Sequence, residues 1–231
     1  MRKKIIKMVS NEFLKPLQID DRLFLPKTGL DKDYSSINRV TDGNNDHQFI
    51  LMIEGYKDSA FDLLKNLIDK KEVDWIALDS KIFPIIFIFR QFLELILKQT
   101  LRFEKLIKNE IQSDELGFKT THSLEKLWEE LKPIIQSRYK QYDEITQEGL
   151  LEKDNTICDM ISELDRLDSG SFAFRYPFEK PKNGTDKIEY SLPKMTIDLQ
   201  NLQDSMRKLT AYFEGINEQA RIELDQKQST K

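Results

Sequence analysis

The sequence predicts a mainly α fold: a single helical bundle of about five main helices, with a β-hairpin inserted before the last of them. Three observations carry this. Apolar residues recur at steps of three and four through most of the chain, the period of an amphipathic helix. Only 8 of the 231 residues are glycine, and 33% are charged against 39% hydrophobic, a helix-biased balance outside the disordered range. The exception is FAFRYPFEK, residues 172–180, where aromatics alternate as they do along a strand.

Residues 1–46 hold Pro16, Pro26, Gly29 and Gly43 among polar side chains with no sustained helical period, and they read as an irregular N-terminal arm. Its start, MRKKIIKMV, sets Arg2, Lys3, Lys4 and Lys7 against no acid; the apolar run is too short and interrupted for a signal peptide, so a solvated basic tail is expected. The bundle is expected over 47–220. Its first helix carries Ile50, Ile53, Tyr56, Ala60, Leu64, Leu67 and Ile68 at helical spacing.

The second helix is expected from a cap at Ser80, with Pro84 in the first turn, to about Asn109. Its IFPIIFIFRQFLELILK, residues 82–98, is the most apolar segment. A membrane span needs about 20 predominantly apolar residues, and Arg90, Gln91 and Glu94 interrupt this one, so a central core helix is the reading and no membrane association is expected. After the polar break QSDELGFKTTHS, with Thr121 or Ser123 as cap, Leu124, Leu127, Trp128 and Leu131 set up a third helix. Pro133 should kink or restart it before Ile134, Ile135 and Tyr139. A fourth, capped by Asp154 or Asn155 and stopped at Ser169 and Gly170, carries Ile157, Met160, Ile161, Leu164 and Leu167.

In an extended strand Phe172, Phe174, Tyr176 and Phe178 share one face and Arg175 points the other way. Asn183-Gly184 suits a tight turn, and Ile188, Tyr190 and Leu192 alternate beyond it, so a hairpin near 172–192 is predicted, with Pro177 marking an edge strand. The last helix shows Leu199, Leu202, Met206, Leu209, Phe213 and Ile216, a seam that packs onto the bundle. Residues 221–231 are a polar tail expected to fray.

Composition excludes several chemistries. With 40 acidic and 36 basic side chains the formal charge is −4, which gives no global attraction for nucleic acid or anionic lipid. Cys158 is the only cysteine, so no intrachain disulfide forms, and a reducing, cytoplasmic setting is the expectation. His47 and His122 are the only imidazoles; neither sits in a nucleophile motif, and with one cysteine they make no metal-ligand set. No glycine-rich phosphate loop occurs. Neither metal nor cofactor is therefore expected. Carboxylates such as Asp159, Glu163 and Asp168 read as a solvated helix face.

Arg90, Glu94 and Lys98 differ, because they step by four along the most apolar helix. Buried charges need partners, so an internal ion-pair network is the first reading and a binding groove the sharper one. His122, at the head of the third helix, is expected to hydrogen-bond to this ridge. Arg175, beside Tyr176, is expected to reach a carboxylate such as Glu94, with phosphate as the functional alternative.

The words FRQFLELILKQTL, THSLEKLWEELKP, SGSFAFRYPFEK and IDLQNLQDSMRKL, in this order over residues 47–216, resemble HEPN-like proteins, helical-bundle modules of bacterial toxin–antitoxin and antiphage defence systems. The resemblance rests on the RxxxE helix through Arg90 and Glu94, the helix led by His122, and FRYP at Phe174–Pro177. Catalytic members are metal-independent ribonucleases with an arginine, four to six residues, then histidine, and commonly work as homodimers. This chain departs from that pattern: seven residues separate Arg39 from His47, and Arg175 is followed after four residues by Lys180. The resemblance thus implies a noncatalytic module binding RNA, a nucleotide or a partner protein such as a nucleotidyltransferase, with a homodimer in keeping. A divergent ribonuclease using Arg175 with His122 or Tyr176, and a purely structural adaptor, are the alternatives.

Overall fold

The computed structural model describes residues 45–70, 74–118, 120–179 and 188–229. Within them lie five α-helices: α1 (Asn45–Ile68), α2 (Trp75–Ile107), α3 (Leu124–Ser137), α4 (Glu144–Asp168) and α5 (Leu199–Ser229), with a 3-10 turn, Arg138–Gln141, after α3. The arm expected at the N-terminus falls outside the described residues up to residue 44. Among the described residues no helix is long and apolar enough to cross a membrane.

Helix α2 is the axis of the bundle, with α1, α3 and α5 packed on it and α4 against α3. Ile85, Phe92, Leu93, Leu97 and Leu101 are fully buried along α2, and so wide an apolar face has to be covered by more than one helix. Around it α1 supplies Ala60 and Leu64, α3 supplies Leu127, Trp128 and Leu131, and α5 supplies Met206 and Phe213. Trp128 meets Phe213 edge-on with ring centroids 5.6 Å apart.

The helix ends differ from expectation for local reasons. Helix α2 starts five residues before Ser80, because Asp74 holds extended backbone and its carboxylate accepts the Ala77 N–H at 3.1 Å. Pro84 therefore lies inside α2, where it supplies no N–H to the Ser80 carbonyl. Helix α3 runs through Pro133 without restarting. Helix α4 begins at Glu144, capped by Asp143, whose carboxylate accepts the Thr146 N–H at 3.0 Å. Asp154, expected as that cap, is instead fully buried mid-helix and accepts the Tyr139 hydroxyl at 2.8 Å, the Gln136 amide at 3.0 Å and the Tyr212 hydroxyl. This carboxylate ties α3, α4 and α5 together.

The polar tail does not end the last helix at Ala220. Helix α5 continues to Ser229, Ala220 and Leu224 pack with Phe103, and Lys227 donates to the Leu106 and Ile107 carbonyls and, at 2.8 Å, to Asn109 Oδ1. A cation on the last carbonyls of α2 suits the negative end of that helix.

The inserted hairpin is not found among the described residues, where a turn and a single bridge stand instead. The N–H groups of Arg175 and Tyr176 both donate to the Phe172 carbonyl, at 3.0 and 3.2 Å, which curls the chain and stacks the Phe172 and Tyr176 rings 4.5 Å apart. Of the four alternating aromatics only Phe174 is buried. Phe178 and Tyr190 form one antiparallel bridge, with Glu179 N–H donating to the Glu189 carbonyl at 2.9 Å and Ser191 N–H to the Pro177 carbonyl at 3.1 Å. No strand occurs among the described residues, and Asn183-Gly184 lies outside them. The cause is Asp168, whose Oδ1 accepts the N–H groups of Phe172 and Ala173 and bends the chain directly after α4. Ser171, and not Gly170, takes the left-handed conformation there, with φ of 54°.

Burial, with the Asp154 carboxylate beside it, pushes the Tyr139 phenol up to about 12, and the same two causes push Tyr212 up. The folded chain thus keeps a Tyr139 proton that an unfolded one releases near pH 10, so the stability Tyr139 contributes is complete below pH 10 and is lost as pH rises through about 12. Urea unfolding followed across this window is expected to show that loss, with a shallower slope in Tyr139→Phe. An identical slope in the variant would count against a shared carboxylate.

Candidate functional site

The ridge predicted on α2 is a buried network centred on Arg90, which has no exposed surface. Its Nη1 donates to Glu94 Oε2 at 3.3 Å and its Nη2 to the His122 carbonyl, with Asp165 Oδ1 at 3.6 Å from Nη2 and Asp168 Oδ2 at 3.9 Å from Nε. Glu94 also accepts Lys98 Nζ at 2.7 Å. Two buried cations thus meet three buried carboxylates, and a buried charge stripped of its partners is among the costliest groups in a protein.

The excess carboxylate charge is offset by backbone donors. Asp165 accepts the Leu124 N–H and the Ser123 hydroxyl, both at 2.8 Å, and so sits at the positive N-terminus of α3. Ser123 itself accepts the Lys126 N–H at 3.2 Å, as its place before the leucine stripe predicts. Asp168, expected on the solvated face with Asp159 and Glu163, is buried and holds the turn after α4; the other two are exposed. The Gln91 amide donates to Ser171 Oγ at 2.7 Å and fixes the same turn to α2.

His122 stands at the surface of this network. Its side chain is 62% exposed, while Nδ1 lies 3.0 Å from Glu94 Oε1, as expected of a helix-start histidine bonded to the ridge. A ring held at Nδ1 by a buried carboxylate and by its own backbone through Arg90 has a fixed direction, the arrangement of a general base with its orienting group. Lys98, 8% exposed, carries its ammonium 5.5 Å from the centre of the Phe118 ring.

Arg175 and Tyr176 form a separate group. Arg175 is exposed and pairs with no carboxylate among the described residues, contrary to the expected link with Glu94. Its guanidinium lies over Phe87 and Tyr176, 5.6 and 5.7 Å from the ring centroids. Tyr176 is 49% exposed. Phe87 and Glu94 are two turns apart on α2, about 10 Å along the axis, so the arginine platform and the histidine flank the same helix without touching. Among the described residues no group of three or more His, Cys, Asp or Glu side chains could hold a metal ion.

Asp165 and Ser123 were the partners that the ridge alone did not name. The signal for Asp165 lies in α4: Asp154, Ile157, Ile161, Asp165 and Asp168 step by three and four, so these aspartates continue the buried stripe. No family model, curated protein or solved structure matches the chain.

The two arginines should respond oppositely to truncation. Removing Arg90 leaves three buried carboxylates short of a partner, so Arg90→Ala is expected to lower the unfolding free energy by at least about 3 kcal/mol in urea titration. Arg175→Ala, at an exposed position, should stay within about 0.5 kcal/mol of the parent. Similar losses in both variants would contradict the division into interior network and surface platform.

Proposed function

We propose that this chain is a noncatalytic HEPN-like binding module of a bacterial defence or toxin–antitoxin system, working in the cytoplasm, with Arg175 and Tyr176 as its contact surface for single-stranded RNA or a nucleotide. The observation that carries this is the contrast between the arginines: Arg90 is enclosed by acids, whereas Arg175 lies exposed over two rings with no carboxylate on it among the described residues. Such a guanidinium can fork onto a phosphate, and the exposed Tyr176 ring offers a base a stacking face. With a net charge of −4 the chain exerts no general pull on nucleic acid, so recognition is local and short. The family reading itself rests on the order of the RxxxE, His-led and FRYP words. Phe178 and Tyr190, both exposed, extend the platform toward a partner protein such as a nucleotidyltransferase, or toward a second copy.

A second reading, a divergent metal-independent ribonuclease, is favoured by one observation, the outward His122 ring oriented by Glu94. In it His122 takes the proton of a ribose hydroxyl, which attacks the adjacent phosphate while the leaving oxygen is protonated from solvent.

Fluorescence anisotropy with a labelled single-stranded RNA, competed with nucleotides, separates these readings. Arg175→Ala is expected to weaken binding at least about 10-fold without loss of fold, leaving the RNA intact throughout. Unchanged binding in that variant refutes the platform. RNA cleavage abolished by His122→Ala would transfer the assignment to the ribonuclease.

A further inference from the structure

Helices α4 and α5 are tied at one end by Asp154 and Tyr212, and beyond that point a cleft of about 260 Å3 opens between them over α2. Its walls include Ile86 of α2, Leu164 of α4, Met206 of α5 and Phe174 from the turn after α4. Interiors of this kind are normally close-packed, and an apolar cavity of roughly 150 Å3 is enough to hold benzene. The space is therefore sized for one aromatic ring and a short chain.

Among the described residues the charges that line the cleft are of one sign. Glu163, exposed on α4, and Asp198, at the start of α5, both line the cleft, and among the described residues that line it there is no lysine or arginine. Asp198 Oδ1 accepts the N–H groups of Gln200 and Asn201 at 2.9 and 3.0 Å, which anchors that carboxylate in place. An anionic ligand would meet two carboxylates there and a cationic one would be drawn to them. We propose that this cleft binds a compact apolar primary amine, its hydrocarbon body between α4 and α5 and its ammonium at the rim formed by Glu163 and Asp198. The site is independent of the Arg175 surface and stands whether or not that surface binds RNA.

Calorimetric titration of the full chain with phenethylamine, phenethyl alcohol and phenylpropionate tests it, because the three share a body and differ in charge. Phenethylamine should bind at least about 10-fold more tightly than phenylpropionate. Ser205→Phe, which places a ring at the cleft wall, should abolish binding of the amine. Glu163→Gln, an exposed substitution that keeps the fold, should weaken the amine several-fold and leave the alcohol unchanged. Failure of the amine to bind, equal affinity for all three compounds, a preference for the alcohol or the acid, or an amine affinity untouched by Glu163→Gln would overturn the proposal.

Discussion

A guanidinium with no exposed surface dictates much of this structure. Arg90 lies in the middle of the most apolar helix, and its charge is tolerable only where carboxylates and a carbonyl close around it. Meeting that demand brings the C-terminal end of α4 and the N-terminal end of α3 to the same turn of α2. Asp165 then caps α3, and Asp168 bends the chain after α4, so one buried cation organises two helix ends and the loop that follows. The left-handed Ser171 fits within this frame, held by Gln91 from α2.

The same constraint explains which expectations held. Helices were legible because their cores repeat at three and four, and burial enforces that period whatever the loops do. Their first residues were less so: Asp74 and Ser80 are both competent caps, and Asp143 and Asp154 likewise, and one hydrogen bond decides between them. The aromatic alternation at 172–178 is a true strand pattern, but strand formation is a local preference of tenths of a kcal/mol to about 1 kcal/mol. A buried aspartate accepting two backbone N–H groups outweighs it.

For the candidate site, Glu94, Lys98 and His122 were legible as a ridge and its neighbour because spacing by four places them on one helix face and the histidine heads a capped helix. Arg175 was misplaced because its assigned position assumed an extended chain. Once the turn forms, the guanidinium comes to rest over Phe87 and Tyr176 instead of inside the bundle. Interior charge and surface charge are thereby separated: the buried arginine joins the helix ends, and the exposed one stands apart from that network.

Such a constraint makes the Arg90 network part of the cooperative core. Native-state hydrogen exchange of the Leu124 and Ala173 amides, the donors held by Asp165 and Asp168, tests it most directly. Both should exchange only through global unfolding, with the same opening free energy as the amide of Leu97 in the middle of α2. Exchange at the rate of an exposed loop would show that the carboxylates do not hold these ends and that the Arg90 network lies outside the cooperative core.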